Sequence, residues 1–152
     1  MQDKTSFLKR PLARPAQAQS TQHSSMSPEG CVAELANELM NARTSFHKLH
    51  LKVTGMGSFA SHSALNELYD ALPGNADSLI EQYQGATEML IDMPDSTPRT
   101  LGTKEEGIQY IREIKDQVAM VQSKITFSEI VNDLDLIKST LNSIKYKLLF
   151  LS

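Results

Sequence analysis

Apolar residues return at three- and four-residue steps in four separate segments, the period expected of helices that each bury one face. In the first segment Val32, Leu35, Leu39, Ala42, Phe46, Leu49 and Val53 form the stripe. This helix is predicted to start at Ser27-Pro28-Glu29 and run to about residue 52: Ser suits the cap, Pro the first helical position, and Glu complements the helix dipole. Glu34, Glu38 and His47 lie beside the stripe and read as solvated rim positions. The second segment starts near Ser58, carries Phe59, Leu65, Tyr69, Leu72, Leu79, Ile80 and Tyr83, and ends near Gly85 or by Met89 to Met93. Pro73-Gly74 falls inside it, where a proline costs about 3 kcal/mol and usually bends the helix.

Residues 92–103, DMPDSTPRTLGT, are dense in turn formers and read as a connection. Thr103-Lys104-Glu105-Glu106 is a capping box that opens a third helix striped with Ile108, Ile111, Ile114, Val118 and Val121. A second box, Thr126-Phe127-Ser128-Glu129, opens a fourth with Ile130, Leu134, Ile137, Leu141, Ile144, Leu148 and Leu151. The expected fold is all-α, a four-helix bundle over residues 27–152. Neither of the last two helices puts His or paired carboxylates on its apolar face. The interior is therefore expected to be dry, unlike di-iron bundles in which all four helices supply carboxylates.

With 152 residues, 40% of them apolar, the chain has enough for one domain around one core. Its net charge of −3 is unevenly divided. Residues 1–26 carry Lys4, Lys9, Arg10 and Arg14 against Asp3 alone, so the rest of the chain holds 11 basic and 17 acidic residues. The first segment is rich in Gln, Ser, Ala and Pro and too poor in apolar residues for a core, so it reads as an extended or disordered basic arm. It is a plain linker, a tether to a protein partner, or a weak nucleic-acid contact, since four scattered charges neutralise few phosphates. A single cysteine, Cys31, excludes a disulfide framework and reads as a buried small hydrophobe. No apolar run approaches 18 residues and no signal segment is evident, so a cytoplasmic protein without a membrane partner is expected. Phosphate-binding loops, dinucleotide glycine fingerprints and nucleophile elbows are absent from the sequence.

One stretch carries metal-like chemistry. His50 and His62 flank a glycine-containing turn, and Asp77 and Glu81 follow four residues apart, on one face of a helix. Nitrogen and oxygen ligands of this kind suit a borderline transition metal. Closing the hairpin brings the histidines together, but Asp77 lies 15 residues past His62, or ~22 Å on a continuous helix. One ion cannot span that distance. If all four residues serve one ion, the acidic pair must come from a second copy related by a two-fold axis, which makes two identical sites per dimer. The plain alternative is a pair of ordinary polar residues at a hairpin.

HLKVTG at residues 50–55, then Phe59, His62, Asp77 and Glu81, resembles the intersubunit ferroxidase segment of the Dps mini-ferritins, and aligns to it from His50 to Glu81 without a gap. The last helix is similar to that family's closing helix, and the chain also resembles small ferritin-like proteins encoded by tailed phages. The resemblance implies a ferritin-like bundle, a homo-oligomer joined through the second helix, and iron, or zinc or manganese, at His50, His62, Asp77 and Glu81. Asn66 stands where the family has a further Asp, which implies weak hold on a second iron, and Leu51 replaces an aromatic beside the site. Two functions are thereby expected: an iron-binding mini-ferritin that oxidises and stores Fe(II), or a structural phage virion component. The second would keep the bundle and dock on neighbours through residues 1–26, in the virion or the host cytoplasm.

Overall fold

The computed structural model describes residues 26–152. The arm expected over residues 1–26 thus lies, all but its last residue, outside the described residues. Four helices follow in order: α1 (Pro28–His50), α2 (Ser58–Thr87), α3 (Lys104–Gln122) and α4 (Ser128–Phe150). The described residues contain no strand, and the chain is all-α. None of the described helices is long and apolar enough to cross a membrane.

Each helix packs on two others, in the cyclic order α1, α2, α4, α3. The direction of each follows from the polar contacts between their ends. Lys147 of α4 pairs with Glu67 near the start of α2, while Asp133 at the start of α4 accepts from Ser78 (2.6 Å) and Gln82 late in α2. Lys124, just past α3, donates to the Met26 carbonyl before α1 (2.7 Å). All neighbouring pairs are therefore antiparallel, in an up-down-down-up bundle with one long connection. That connection, residues 88–103, returns the length of the bundle as extended chain. Sixteen residues reach ~50 Å at ~3.3 Å each, against ~35 Å for α1, so no helix is needed to span it.

Arg99 fastens this crossover. It donates to Glu38 of α1 (2.8 Å) and to Glu113 of α3, and its guanidinium lies 4.1 Å over the Tyr110 ring. The hydrogen bond from Arg99 holds the Glu113 carboxyl below its usual range. Ser96 takes hydrogen bonds from Asn37 (2.6 Å) and Asn41 of α1. Glu38, read from sequence as a solvated rim residue, is thus a docking point for the crossover.

The start of α1 is as expected: Ser27 accepts from Gly30 N, with Pro28 in the first turn. Thr103 and Glu106 form both bonds of the capping box of α3. The second box does not form. Phe127 occupies the cap of α4, no side chain caps the helix, and Ser128 already belongs to its first turn, one residue too far on for Thr126 to cap. Phe59 is 83% exposed and Leu151 exposed, rather than core. Phe59 sits in the first turn of α2, rotated away from the buried run Ser61, Leu65, Leu68 and Leu72, and Leu151 lies past the end of α4. Pro73 does not interrupt α2, which is continuous from Ser58 to Thr87. The proline is only partly buried and Gly74 beside it faces open space. Cys31 is buried, as expected.

The core is continuous along the bundle. Phe46 stacks on Tyr110 with centroids 5.2 Å apart, and Gly107 lets α3 approach α1 there: an added Cβ would lie 2.7 Å from Leu49 Cδ2.

Candidate metal centre

His50 ends α1 and His62 lies in the second turn of α2, joined by a turn in which Gly55 (φ 90°) and Gly57 (φ 76°) take left-handed backbone that costs glycine little. The hairpin closes as the spacing predicts. The two imidazole centroids lie 3.8 Å apart, with the ring planes tilted by 31°. His62 Nδ1 is 3.2 Å from the His50 carbonyl. A carbonyl only accepts, so Nδ1 carries a proton, and in the neutral ring Nε2 has the lone pair. This is how ligating histidines are commonly oriented, by a backbone carbonyl on the other nitrogen.

His50 is 7% exposed, and neither of its ring nitrogens has a hydrogen-bond partner. A buried polar atom left unpaired costs on the order of 1–3 kcal/mol, and such an orphan calls for an explanation, a bound ion among them. Burial, together with the neighbouring His62 and His47, pushes the His50 pKa below its ordinary value, so the ring is neutral at neutral pH and has a free lone pair.

His47 is more than a rim residue. One turn before His50, it stacks on Tyr69 with centroids 4.3 Å apart and lies 5.7 Å from the His50 ring. Tyr69 meets His50 edge-on at 5.1 Å and donates to Asn66 (2.6 Å), which in turn donates to Asp70 (2.9 Å). Asn66 is therefore committed to this network. Sequence reading missed the cluster, although His47 three residues before His50 and Tyr69 seven after His62 share the helix faces that meet here.

Asp77 and Glu81 are exposed on α2 and make no hydrogen bond or ion pair among the described residues. With α2 continuous, they lie 15 and 19 residues beyond His62, ~22 Å and more along the axis. Within one copy the structure thus brings His50 and His62 together and leaves the acidic pair distant. Among the described residues no group of three or more His, Cys, Asp or Glu side chains has the geometry to hold an ion. The donor set of two neutral imidazoles and two carboxylates fits iron, zinc or manganese, but only half of it is present at either end of the face.

The sign of the His50 pH dependence follows from the lowered pKa. The unfolded imidazole, at about 6.5, takes up a proton before the buried one does. Stability is therefore full above pH ~6.5 and falls as the pH drops below it toward the folded value. In metal-free buffer the thermal midpoint is expected to fall more steeply from pH 7.5 to 5.5 in the wild type than in His50→Gln. Parallel curves from calorimetric scans would contradict the assignment.

Residues 50–148, more than half of the chain, match a family described as a family of unknown function (DUF5856). No curated protein and no solved structure matches the chain.

Proposed function

The chain belongs to the DUF5856 family, and we propose that it is a ferritin-like protein of Dps type that binds a divalent metal between two copies. His50 and His62 of one copy and Asp77 and Glu81 of the other hold the ion, across antiparallel α2 helices. The observation that carries this reading is His50, a buried neutral imidazole with both nitrogens unpartnered, 3.8 Å between centroids from a histidine whose Nδ1 a carbonyl already holds. The up-down-down-up course with one long crossover adds support, because ferritin-like bundles have one such connection. Iron is one of the ions this donor set suits, and its oxidation is the chemistry a Dps-like protein would supply. Asn66, neutral and bonded to Tyr69 and Asp70, leaves no carboxylate at that position for a second ion.

A two-fold axis that carries His62 onto the partner's acidic pair passes near residue ~70, halfway between them. Asp70 is exposed there, and Asp70→Cys is expected to cross-link to its own copy under mild oxidation, with buried Cys31 not competing. Efficient self-cross-linking from Ser139→Cys on α4, with none from position 70, would rule the interface out.

One observation favours the structural alternative, a virion component. Phe59, Tyr146, Phe150 and Leu151 are exposed, Tyr146 and Phe150 with centroids 5.4 Å apart, and Phe59 and Leu151 line one shallow apolar groove. Iron or zinc bound in a large homo-oligomer supports the metal reading, and a metal-free chain found only within a larger particle supports the other.

A further inference from the structure

A second feature of the same end of the bundle stands apart from the histidines. Between the α1–α2 turn and the start of α3 lies a cleft of ≈ 290 Å³, walled by Leu49, Val53 and Met56 and carrying Lys52, Lys104 and Ser61.

Ser61 is 4% exposed, lines the cleft, and its hydroxyl makes no hydrogen bond among the described residues. The neighbouring Ser45, equally buried, bonds the Asn41 carbonyl at 3.0 Å. Of the two buried serines among the described residues, only Ser61 leaves its hydroxyl without a partner. Lys52 Nζ donates to the Leu101 carbonyl (3.3 Å) and Lys104 Nζ to Ser152 Oγ (3.0 Å). Neither is paired with a carboxylate among the described residues, and each ammonium has donors left over.

The backbone adds to this field. Ser58 and Ser61 place the first turn of α2, and Thr103 and Lys104 that of α3, at the same cleft. The first turn of α2 has no side-chain cap. The capping box of α3 satisfies Glu106 N, Gly102 N and Thr103 N but leaves the N–H groups of Lys104 and Glu105. Ser58 N and Ser61 N are already bonded to the Gly55 and Gly57 carbonyls, so the unused backbone donors at this cleft are those of α3. Glu105 also lines the cleft, the Glu106 carboxylate is spent on Gly102 N and Thr103 N at its edge, and the terminal residue Ser152 lies against Gly57 beside it.

We infer that this cleft binds a phosphate group, free or carried on a small molecule, held by Lys52, Lys104, the Ser61 hydroxyl and the first-turn N–H groups of Lys104 and Glu105 in α3. The volume exceeds that of bare phosphate and leaves room for a sugar-sized remainder against the apolar wall. The inference does not depend on the metal reading, since none of the four proposed metal ligands lines the cleft.

The test is calorimetric titration of the full chain with inorganic phosphate and, separately, ribose 5-phosphate, against chloride at equal ionic strength. Saturable binding of one probe to one site is expected. Loss of both charges in Lys52→Met, Lys104→Met is expected to weaken it by roughly tenfold or more, because charge-assisted bonds are the strong ones. Ser61→Ala is expected to weaken it severalfold while leaving the thermal midpoint of the free protein unchanged or raised, since an unpaired hydroxyl is removed. Tighter binding of ribose 5-phosphate assigns the site to a carried phosphate, and equal binding assigns it to the free ion. The inference is overturned if neither probe saturates, or if the lysine double variant binds as well as wild type.

Discussion

The double variant His50→Ala, His62→Ala is expected to lose tight Fe(II) and Zn(II) binding and to keep its helical circular dichroism. The loss should exceed the roughly 10- to 100-fold that follows removal of a group merely supporting a ligand, because both imidazole donors go at once. The fold should survive. His62 is exposed, and His50 contributes two unpartnered nitrogens to the interior rather than a satisfied contact. Alanine at position 50 therefore removes an unfavourable burial together with the packing of the ring. Metal affinity equal to wild type, measured by competition with a chromogenic chelator, would remove these residues from any site.

Phe46→Ala is expected to cost the bundle about 3–5 kcal/mol, a large share of the ~5–15 kcal/mol that holds a domain together. Phe46 is fully buried, stacks on Tyr110, and fills the space that Gly107 leaves between α1 and α3. Collapse into the void is blocked on the Tyr110 side. That ring lies under Arg99, and its buried hydroxyl sits near Glu38 and Ser45 without a well-formed hydrogen bond. Burial raises the Tyr110 pKa, with the Glu38 charge adding to the effect. In a chain of this size the thermal midpoint should drop by roughly 10–20 °C. A fall of a degree or two would show instead that the α1–α3 seam repacks around the missing ring.

Helical periodicity made most of this architecture legible in advance, because a one-sided stripe is the condition for a bundle helix. Ser27 and the Thr103–Glu106 box mark their helix starts by local bonding alone, so these were readable. Thr126 does not cap because the same residue pattern permits a start one position later, and the helix begins there with Phe127 at the cap. Phe59 shows the limit of counting apolar residues: one outlying aromatic can be assigned to a stripe it does not share. The crossover was foreseen as a connection but not as a clasp, because Arg99, Glu38 and Glu113 are brought together only by the tertiary fold. The same holds for His47 and Tyr69, whose stacking needs the α1–α2 crossing to exist. The apposition of His50 and His62 could be read from spacing and a glycine turn. Their union with Asp77 and Glu81 needs a second copy.

Whether the proposed site is shared between subunits can be measured directly by complementation. One variant lacks the imidazoles (His50→Ala, His62→Ala) and the other lacks the carboxylates (Asp77→Ala, Glu81→Ala). Neither should bind metal tightly alone. When the two are unfolded together and refolded at equal concentration, half of the dimers are mixed, and in each of these one of the two sites is whole. Recovery of about a quarter of the wild-type metal content per chain is the expected result. No recovery from a mixture that demonstrably forms mixed dimers would contradict a site shared across the two-fold axis.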